Sequence, residues 1–90
     1  MAPAKVEIYT TPFCPFCLRA KRLLKKKGVD FTEYDVSGDR EKRAAMTERA
    51  DGRHTVPQIF IDGDGIGGCD ELMTLEREGT LDAMLAAGNG

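Results

Sequence analysis

The chain has 90 residues, with thirteen Lys and Arg against fifteen Asp and Glu, which gives a net charge of -2 at pH 7. This length allows one small hydrophobic core, so we expect a single domain over residues 1–90. The near balance of charge supplies no positive field for nucleic acid, and no run of apolar residues is long enough to span a bilayer. We therefore expect neither nucleic acid nor a membrane as a partner.

The cysteines indicate a compartment. There are three, at uneven spacing, unlike the even and dense frameworks that cross-link small secreted domains. Residues 1–5 also lack the cationic segment and apolar run of a secretory signal. We expect a cytoplasmic location, where a close cysteine pair is more often catalytic or metal-binding than structural.

The first third of the chain predicts a strand followed by a helix. Residues 6–10 alternate apolar and polar side chains and favour a strand, which the turn-prone Pro12 ends. From Pro15 onward apolar residues recur at helical spacing, and Gly28 follows as a stop. The pattern predicts a helix over residues 15–27.

The rest of the chain predicts two short strand and helix units. Residues 29–36 favour a second strand, and Ser37-Gly38-Asp39 supplies turn and cap chemistry for a second helix. Residues 58–61 and a short edge at 65–66 form a hairpin through Asp62-Gly63. Asp70 is expected to cap a third helix, followed by a final helical turn or two. The order β-α-β-α-β-β-α predicts an α/β fold with a four-stranded mixed sheet flanked by helices.

Cys14 and Cys17 carry the chemistry that the sequence predicts. Cys14 precedes the first helix, where unpaired amides and the helix dipole favour a thiolate over a thiol. Cys17 lies one turn later, within reach of a disulfide but more buried. We therefore expect Cys14 to attack disulfides and Cys17 to resolve the mixed disulfide that forms.

Two other interpretations of these cysteines are disfavoured. The first is that the pair only packs on one helix face, but a C-x-x-C between a strand and a helix is typical of redox proteins. A zinc site would have to combine the pair with His54 and Cys69, two single residues 15 positions apart, which is not the spacing of structural zinc sites. We expect no metal.

Three motifs occur in order along the chain: Cys14-Pro15-Phe16-Cys17, Thr55-Val56-Pro57 and Gly67-Gly68-Cys69-Asp70. Together they resemble the motifs of the glutaredoxin family, in particular its small bacterial dithiol type. The resemblance covers residues 5 to about 85. It implies a thioredoxin fold and a single glutaredoxin domain.

The resemblance also implies a glutathione site. Pro57 would be cis and would expose the Val56 backbone to pair with glutathione, with Thr55 lining the same groove. The Gly-Gly-Cys-Asp segment would hold the γ-glutamyl end at a helix N-terminus, with Asp70 receiving the ammonium. The full set of implied binding residues is Phe16, Arg43, Thr55, Val56, Pro57, Gly68, Cys69 and Asp70.

The sequence departs from the family pattern at two positions. Phe16 stands where Tyr is usual, and Thr11 stands where many members have a Lys that faces the glutathione carboxylate. Arg43, or else Arg53, is expected to replace that lysine. His54 and Arg53 are otherwise interpreted as surface residues. We interpret Cys69 as a small residue without a redox role.

The function implied is reduction of protein disulfides and glutathione mixed disulfides through Cys14 and Cys17, with glutathione as co-substrate and glutathione reductase acting indirectly. We expect a monomer. A redoxin served by thioredoxin reductase is disfavoured by the Gly-Gly-Cys-Asp segment. A carrier of an iron–sulfur cluster ligated by glutathione is disfavoured by Pro15 and by the second cysteine.

Overall fold

The computed structural model describes residues 4–87 of the chain. The elements follow the predicted order, and the last helix is about two turns long. They are β1 (Val6–Thr10), α1 (Pro15–Lys26), β2 (Phe31–Asp35), α2 (Arg40–Arg49), β3 (Gln58–Ile61), β4 (Asp64–Gly67), α3 (Cys69–Glu78) and α4 (Thr80–Ala87). No helix within residues 4–87 has the length and apolar character needed to cross a membrane.

The four strands form one mixed sheet in the order β2-β1-β3-β4. β1 and β2 are parallel because α1 carries the chain back between them, whereas β1 with β3 and β3 with β4 are antiparallel. β3 and β4 are joined at Asp62 and Gly63, which both have positive φ, at 52° and 84°. Paired positive φ values match a type I′ hairpin turn, which confirms the hairpin predicted from Asp-Gly.

Both faces of the central strands are buried, in two hydrophobic clusters. Val6 and Ile8 of β1 face α1 and α3, and the cluster on that side also holds Leu24, Ile59 and Leu72. Because side chains alternate along a strand, the opposite face carries a different set. That second cluster consists of Tyr9, Val36, Met46, Ala50 and Phe60. Half-buried Phe31 and Met73 pack against the first cluster.

An unforeseen ion pair lies on the second face. Glu7 is buried, and its carboxylate accepts hydrogen bonds from the Arg49 guanidinium at 3.0 and 3.3 Å and from the Tyr34 hydroxyl at 2.9 Å. The Arg49 hydrogen bonds lower the pKa of Glu7 against the opposing effect of burial. A buried carboxylate without such partners would be costly, so this cluster ties α2 to β1.

The helix starts are set by local hydrogen bonds. Asp39 caps α2 as predicted, since its carboxylate accepts from the Lys42 amide at 3.0 Å. The prediction that Asp70 caps α3 is wrong: the N-cap is Gly68, and Asp70 is the second residue of the helix. The physical reason is that Glu71 reaches back to the Gly68 amide, so the helix begins two residues earlier.

The sheet topology brings three distant segments to one end. β1 ends at Thr10, just before Cys14, and β4 ends at Gly67, just before α3. β3 runs antiparallel to both strands, so its start, after Pro57, lies at this same end. The three sequence motifs therefore converge in space.

Candidate active site

Cys14 occupies the N-cap of α1. Its backbone is extended, at φ −102° and ψ 107°, and its Sγ accepts a hydrogen bond from the Cys17 amide at 3.3 Å. The first turn of α1 contains no acidic residue. The Cys14 sulfur therefore lies at the positive end of the helix dipole and receives one of the backbone amides of the first turn.

Cys17 has a different environment although it lies one turn away. It is 1% exposed, and burial, followed by its interaction with Cys14, raises the pKa of its thiol to about 12. The prediction that Cys17 is more buried than Cys14 is confirmed. Near neutral pH it keeps its proton, so the pair offers one accessible sulfur and one protected thiol.

A groove lies beside the start of α1, between the segment before β3 and the start of α3. Seven of the eight binding residues that the resemblance implied line it, and Arg43 does not. Its lining residues are Phe16, Arg53, Thr55, Val56, Pro57, Gly68, Cys69, Asp70 and Glu71.

The first wall of the groove is the segment Thr55–Pro57. The Val56-Pro57 peptide bond is cis, as the resemblance implied. Buried Gln58 fixes the segment from below, because its side-chain amide donates to the Thr55 carbonyl at 3.0 Å and to Thr55 Oγ1 at 3.3 Å. Such a satisfied buried amide keeps the wall in one conformation.

The second wall has glycine at two consecutive positions, for two different reasons. Gly67 has φ 107°, a backbone conformation that favours glycine. A Cβ on Gly68 would lie 3.1 Å from the Pro57 carbonyl oxygen, so the absence of a side chain there lets the two walls approach closely.

Glu71 and Arg53 line the groove as an ion pair; the sequence offered Arg53 there only as the alternative to Arg43, and it did not indicate Glu71. One carboxylate oxygen of Glu71 accepts from the Gly68 amide at 2.6 Å and from Arg53 Nη2 at 3.0 Å. The Gly68 amide, followed by Arg53, lowers the pKa of Glu71. A Glu three residues after an N-cap is a recognised capping signal, so Glu71 could have been found by that spacing. Arg53 had been interpreted as a surface residue.

Cys69 also lies at a helix start, but it is buried. Burial raises the pKa of its thiol, and the charges of Asp70, Cys14 and Glu71 act in the same direction. Asp70 itself is exposed at the groove. Cys69 therefore favours the neutral thiol, in agreement with its interpretation as a residue without a redox role.

Sequence and structure comparisons agree on one family. The family model described as glutaredoxin matches residues 6–66. This chain belongs to the glutaredoxin family. It is 55% identical to glutaredoxin 3 of Escherichia coli K12 over 82 residues, which cover 91% of this chain and 98% of that protein.

Solved structures place this glutaredoxin in the same family. The solution structure of glutaredoxin from Brucella melitensis has a TM-score of 0.85 and 51% identity, covering 100% of this chain and 97% of that one. A buckwheat glutaredoxin–glutathione complex has a TM-score of 0.84 and 30% identity, covering 93% and 78% of the two chains. Family membership and the Cys14–Cys17 geometry give the chain a thiol–disulfide oxidoreductase role.

The structure places two residues differently from the expectation for the glutathione carboxylate. Arg43 donates from Nη2 to the His54 carbonyl at 3.0 Å and supports the loop behind the groove rather than lining it. Thr11 does not line the groove either, and lies in a cleft with Cys14. Arg53 is thus the cationic side chain that lines the groove of this glutaredoxin.

A second cleft, separate from the groove, adjoins Cys14. Both Cys14 and Cys17 line it, and its charged part contains an ion pair in which Lys21 Nζ lies 2.9 Å from Glu33 Oε2. The complete lining is Thr10, Thr11, Pro12, Phe13, Cys14, Cys17, Leu18, Lys21, Glu33 and Asp35. The groove and this second cleft share no lining residue.

Within residues 4–87, no group of three or more His, Cys, Asp or Glu side chains is arranged to hold a metal ion.

Proposed function

We propose that this glutaredoxin uses glutathione to reduce protein disulfides and glutathione mixed disulfides through Cys14 and Cys17. The observation that carries the proposal is the groove beside the start of α1, which combines an extended wall at Thr55–Pro57 with a helix N-terminus at α3. An extended peptide with a carboxylate at one end suits such a pairing. The buckwheat relative, solved as a glutathione complex, supports the same use of the groove.

Each part of the groove suits one part of glutathione. The backbone of Val56 would pair with the cysteine residue of glutathione, and the amides at the start of α3 would receive the γ-glutamyl carboxylate. Asp70 would face the ammonium group. Arg53 would supply the positive charge for the glycine carboxylate, a role that the sequence resemblance had given first to Arg43.

The two cysteines divide the reaction. The Cys14 thiolate attacks a substrate disulfide, and one substrate sulfur leaves as a thiolate while a mixed disulfide forms. Cys17 then loses its proton and attacks the Cys14 sulfur, which releases the second substrate sulfur and closes the Cys14–Cys17 disulfide. Two molecules of glutathione would restore the dithiol in succession and leave as glutathione disulfide.

The test is an NADPH-coupled assay with glutathione reductase on a small glutathione mixed disulfide and on a protein disulfide. We expect Cys14→Ser to abolish both activities and Cys17→Ser to keep the first and lose the second. Asp70→Asn should raise the KM for glutathione about three- to tenfold, the usual effect of losing one charged contact. Equal activity with thioredoxin reductase in place of glutathione would overturn the proposal.

A further inference from the structure

Within residues 4–87, the large hydrophobic side chains that are exposed lie close to Cys14 in the sequence. Phe13 is 99% exposed, Phe16 is 53% exposed and Leu18 is 50% exposed. All three lie within six positions that include Cys14. Exposed apolar side chains grouped at a functional site indicate a surface that binds another molecule.

These three residues divide between the groove and the second cleft. Phe16 lines the glutathione groove, whereas Phe13 and Leu18 line the second cleft together with Cys14 and Cys17. The apolar surface that Phe16 contributes is therefore accounted for by the groove. Phe13 and Leu18 do not line that groove, so the surface that they contribute belongs to the second cleft alone.

Phe13 has a backbone conformation that its side chain does not favour. Its φ is 62°, in the left-handed region that costs a residue with a Cβ about 1 kcal/mol or more. The ring gains no burial in return, since it is almost fully exposed. Glycine or asparagine would fit this position better, so the fold alone does not explain an aromatic residue there.

We propose that the second cleft binds the substrate polypeptide while its cysteine is disulfide-bonded to Cys14, and that Phe13 and Leu18 select cysteines flanked by an apolar residue. The inference rests on the proposed reduction of protein disulfides by Cys14, but not on the use of glutathione. In the binding step the Cys14 thiolate attacks the substrate sulfur, a Cys14–substrate disulfide forms, and the other sulfur of the substrate disulfide leaves with the electron pair.

Two features of the second cleft support a substrate polypeptide as its occupant: the cleft is continuous with the redox site, and its charges suit such a segment. Cys14 and Cys17 both line the cleft, so a chain bonded to Cys14 remains beside the thiol that releases it. The charged lining consists of Lys21, Glu33 and Asp35, and Lys21 is paired with Glu33. The lining therefore has one more carboxylate than cation. This negative charge disfavours an acidic segment and is compatible with an apolar or basic one.

The experiment measures the first step without glutathione. Two peptides differ only in the residue before a single cysteine, Leu in one and Ser in the other, and each carries that cysteine as a mixed disulfide with 2-nitro-5-thiobenzoate. Attack by Cys14 on the peptide sulfur releases the coloured arylthiolate. We expect the wild-type chain to react about three- to tenfold faster with the Leu peptide, as one partly buried apolar side chain contributes.

The decisive variant is Phe13→Asn, which keeps a residue that tolerates positive φ. It should lose the preference for the Leu peptide, and Leu18→Ser should reduce it. The arylthiol mixed disulfide of cysteamine serves as the matched control, because its rate reports Cys14 reactivity alone and should stay the same in Phe13→Asn.

Equal rates for the two peptides with the wild-type chain, or equal loss on the peptides and cysteamine, would overturn the inference. Circular dichroism of each variant confirms that it is folded. Glutathione takes no part in this assay, so failure of the proposed glutathione dependence would leave its outcome unchanged.

Discussion

The starts of α1 and α3 lie at the same end of the sheet, and each has a cysteine. Cys14 caps α1, and its sulfur itself accepts the Cys17 amide in a first turn without acidic residues. Cys69 is the first residue of α3, where Asp70 and Glu71 fill the first turn and Glu71 accepts the Gly68 amide. Both helix starts thus present the positive end of a dipole, but a cysteine sulfur accepts the backbone amide only at α1, whereas a carboxylate accepts it at α3.

The difference shows that a helix N-terminus does not by itself make a cysteine reactive. At α1 the sulfur is accessible and receives the amide, so the dipole acts on it. At α3 a carboxylate already receives the amide, and burial favours the neutral form of Cys69. Accessibility and the absence of competing carboxylates distinguish the two ends.

The largest expected effect comes from removing each cysteine in turn. Cys14→Ser should lower disulfide reduction by at least about a thousandfold, because a hydroxyl replaces the nucleophile. Cys69→Ser should leave the rate within about twofold, since a buried neutral thiol takes no part. Steady-state rates on a small mixed disulfide measure both, and a large loss in Cys69→Ser would contradict the contrast.

Alkylation across pH compares the three thiols directly. With the pKa of Cys17 at about 12, the thiolate fraction of Cys17 should rise about tenfold per pH unit from pH 7 to 11. Iodoacetamide at neutral pH should therefore modify Cys14 first and leave Cys17 and Cys69 nearly unmodified. Peptide mass spectrometry measures each site, and the unfolded chain in urea is the control. Rapid labelling of Cys17 at pH 7 would refute its protected state.

Glu71→Gln weakens the cap of α3. We expect a loss of about 0.5–1 kcal/mol in the free energy of unfolding, because the half-exposed carboxylate gives up charged hydrogen bonds to Gly68 and Arg53. Urea unfolding at pH 7 measures this loss. Glu78→Gln, on an exposed residue of the same helix, should change stability by only a few tenths of a kcal/mol.

The pH dependence of this loss has a definite sign. The pKa of Glu71 is lowered in the folded state, so its carboxylate stabilises the fold above the ordinary value of 4.5. That contribution disappears as the pH falls below 4.5 and Glu71 takes up a proton in the folded state. The difference between wild type and Glu71→Gln should therefore shrink between pH 5 and the acid limit.

The smallest effect is expected from a substitution that gives α1 an acidic first turn like that of α3. Pro15 is the exposed first residue of α1, and Pro15→Asp would place a carboxylate in that turn. At pH 6 and low salt, Cys14 should react with iodoacetamide about threefold more slowly in Pro15→Asp than in the isosteric Pro15→Asn. The gap should close in 1 M salt. A gap that salt does not change would point to a steric cause instead.

Most of the fold was predictable because local patterns and global structure agree. The alternation of β1, the Asp62-Gly63 turn and the Asp39 cap each act over a few residues, and each is where the sequence predicted it. The Glu7–Arg49 pair was not predictable, because its partners are 42 residues apart and meet only after α2 packs on the sheet.

The site was predicted less completely. The motif residues Thr55–Pro57, Gly68 and Asp70 line one groove as expected, but Arg53 replaces Arg43 there. The choice between these arginines depends on how the loop after α2 folds back, and in the structure Arg43 donates to the His54 carbonyl. No sequence spacing encodes that path.

The sequence by itself determined the family, the order of elements and the cysteine pair, since these depend on short motifs and local periodicity. Only the tertiary structure decided how exposed each of the three thiols is and that Cys14 and Cys17 line a cleft separate from the groove. Burial and electrostatic environment arise from segments far apart in the chain, and they become defined only when the sheet brings those segments together.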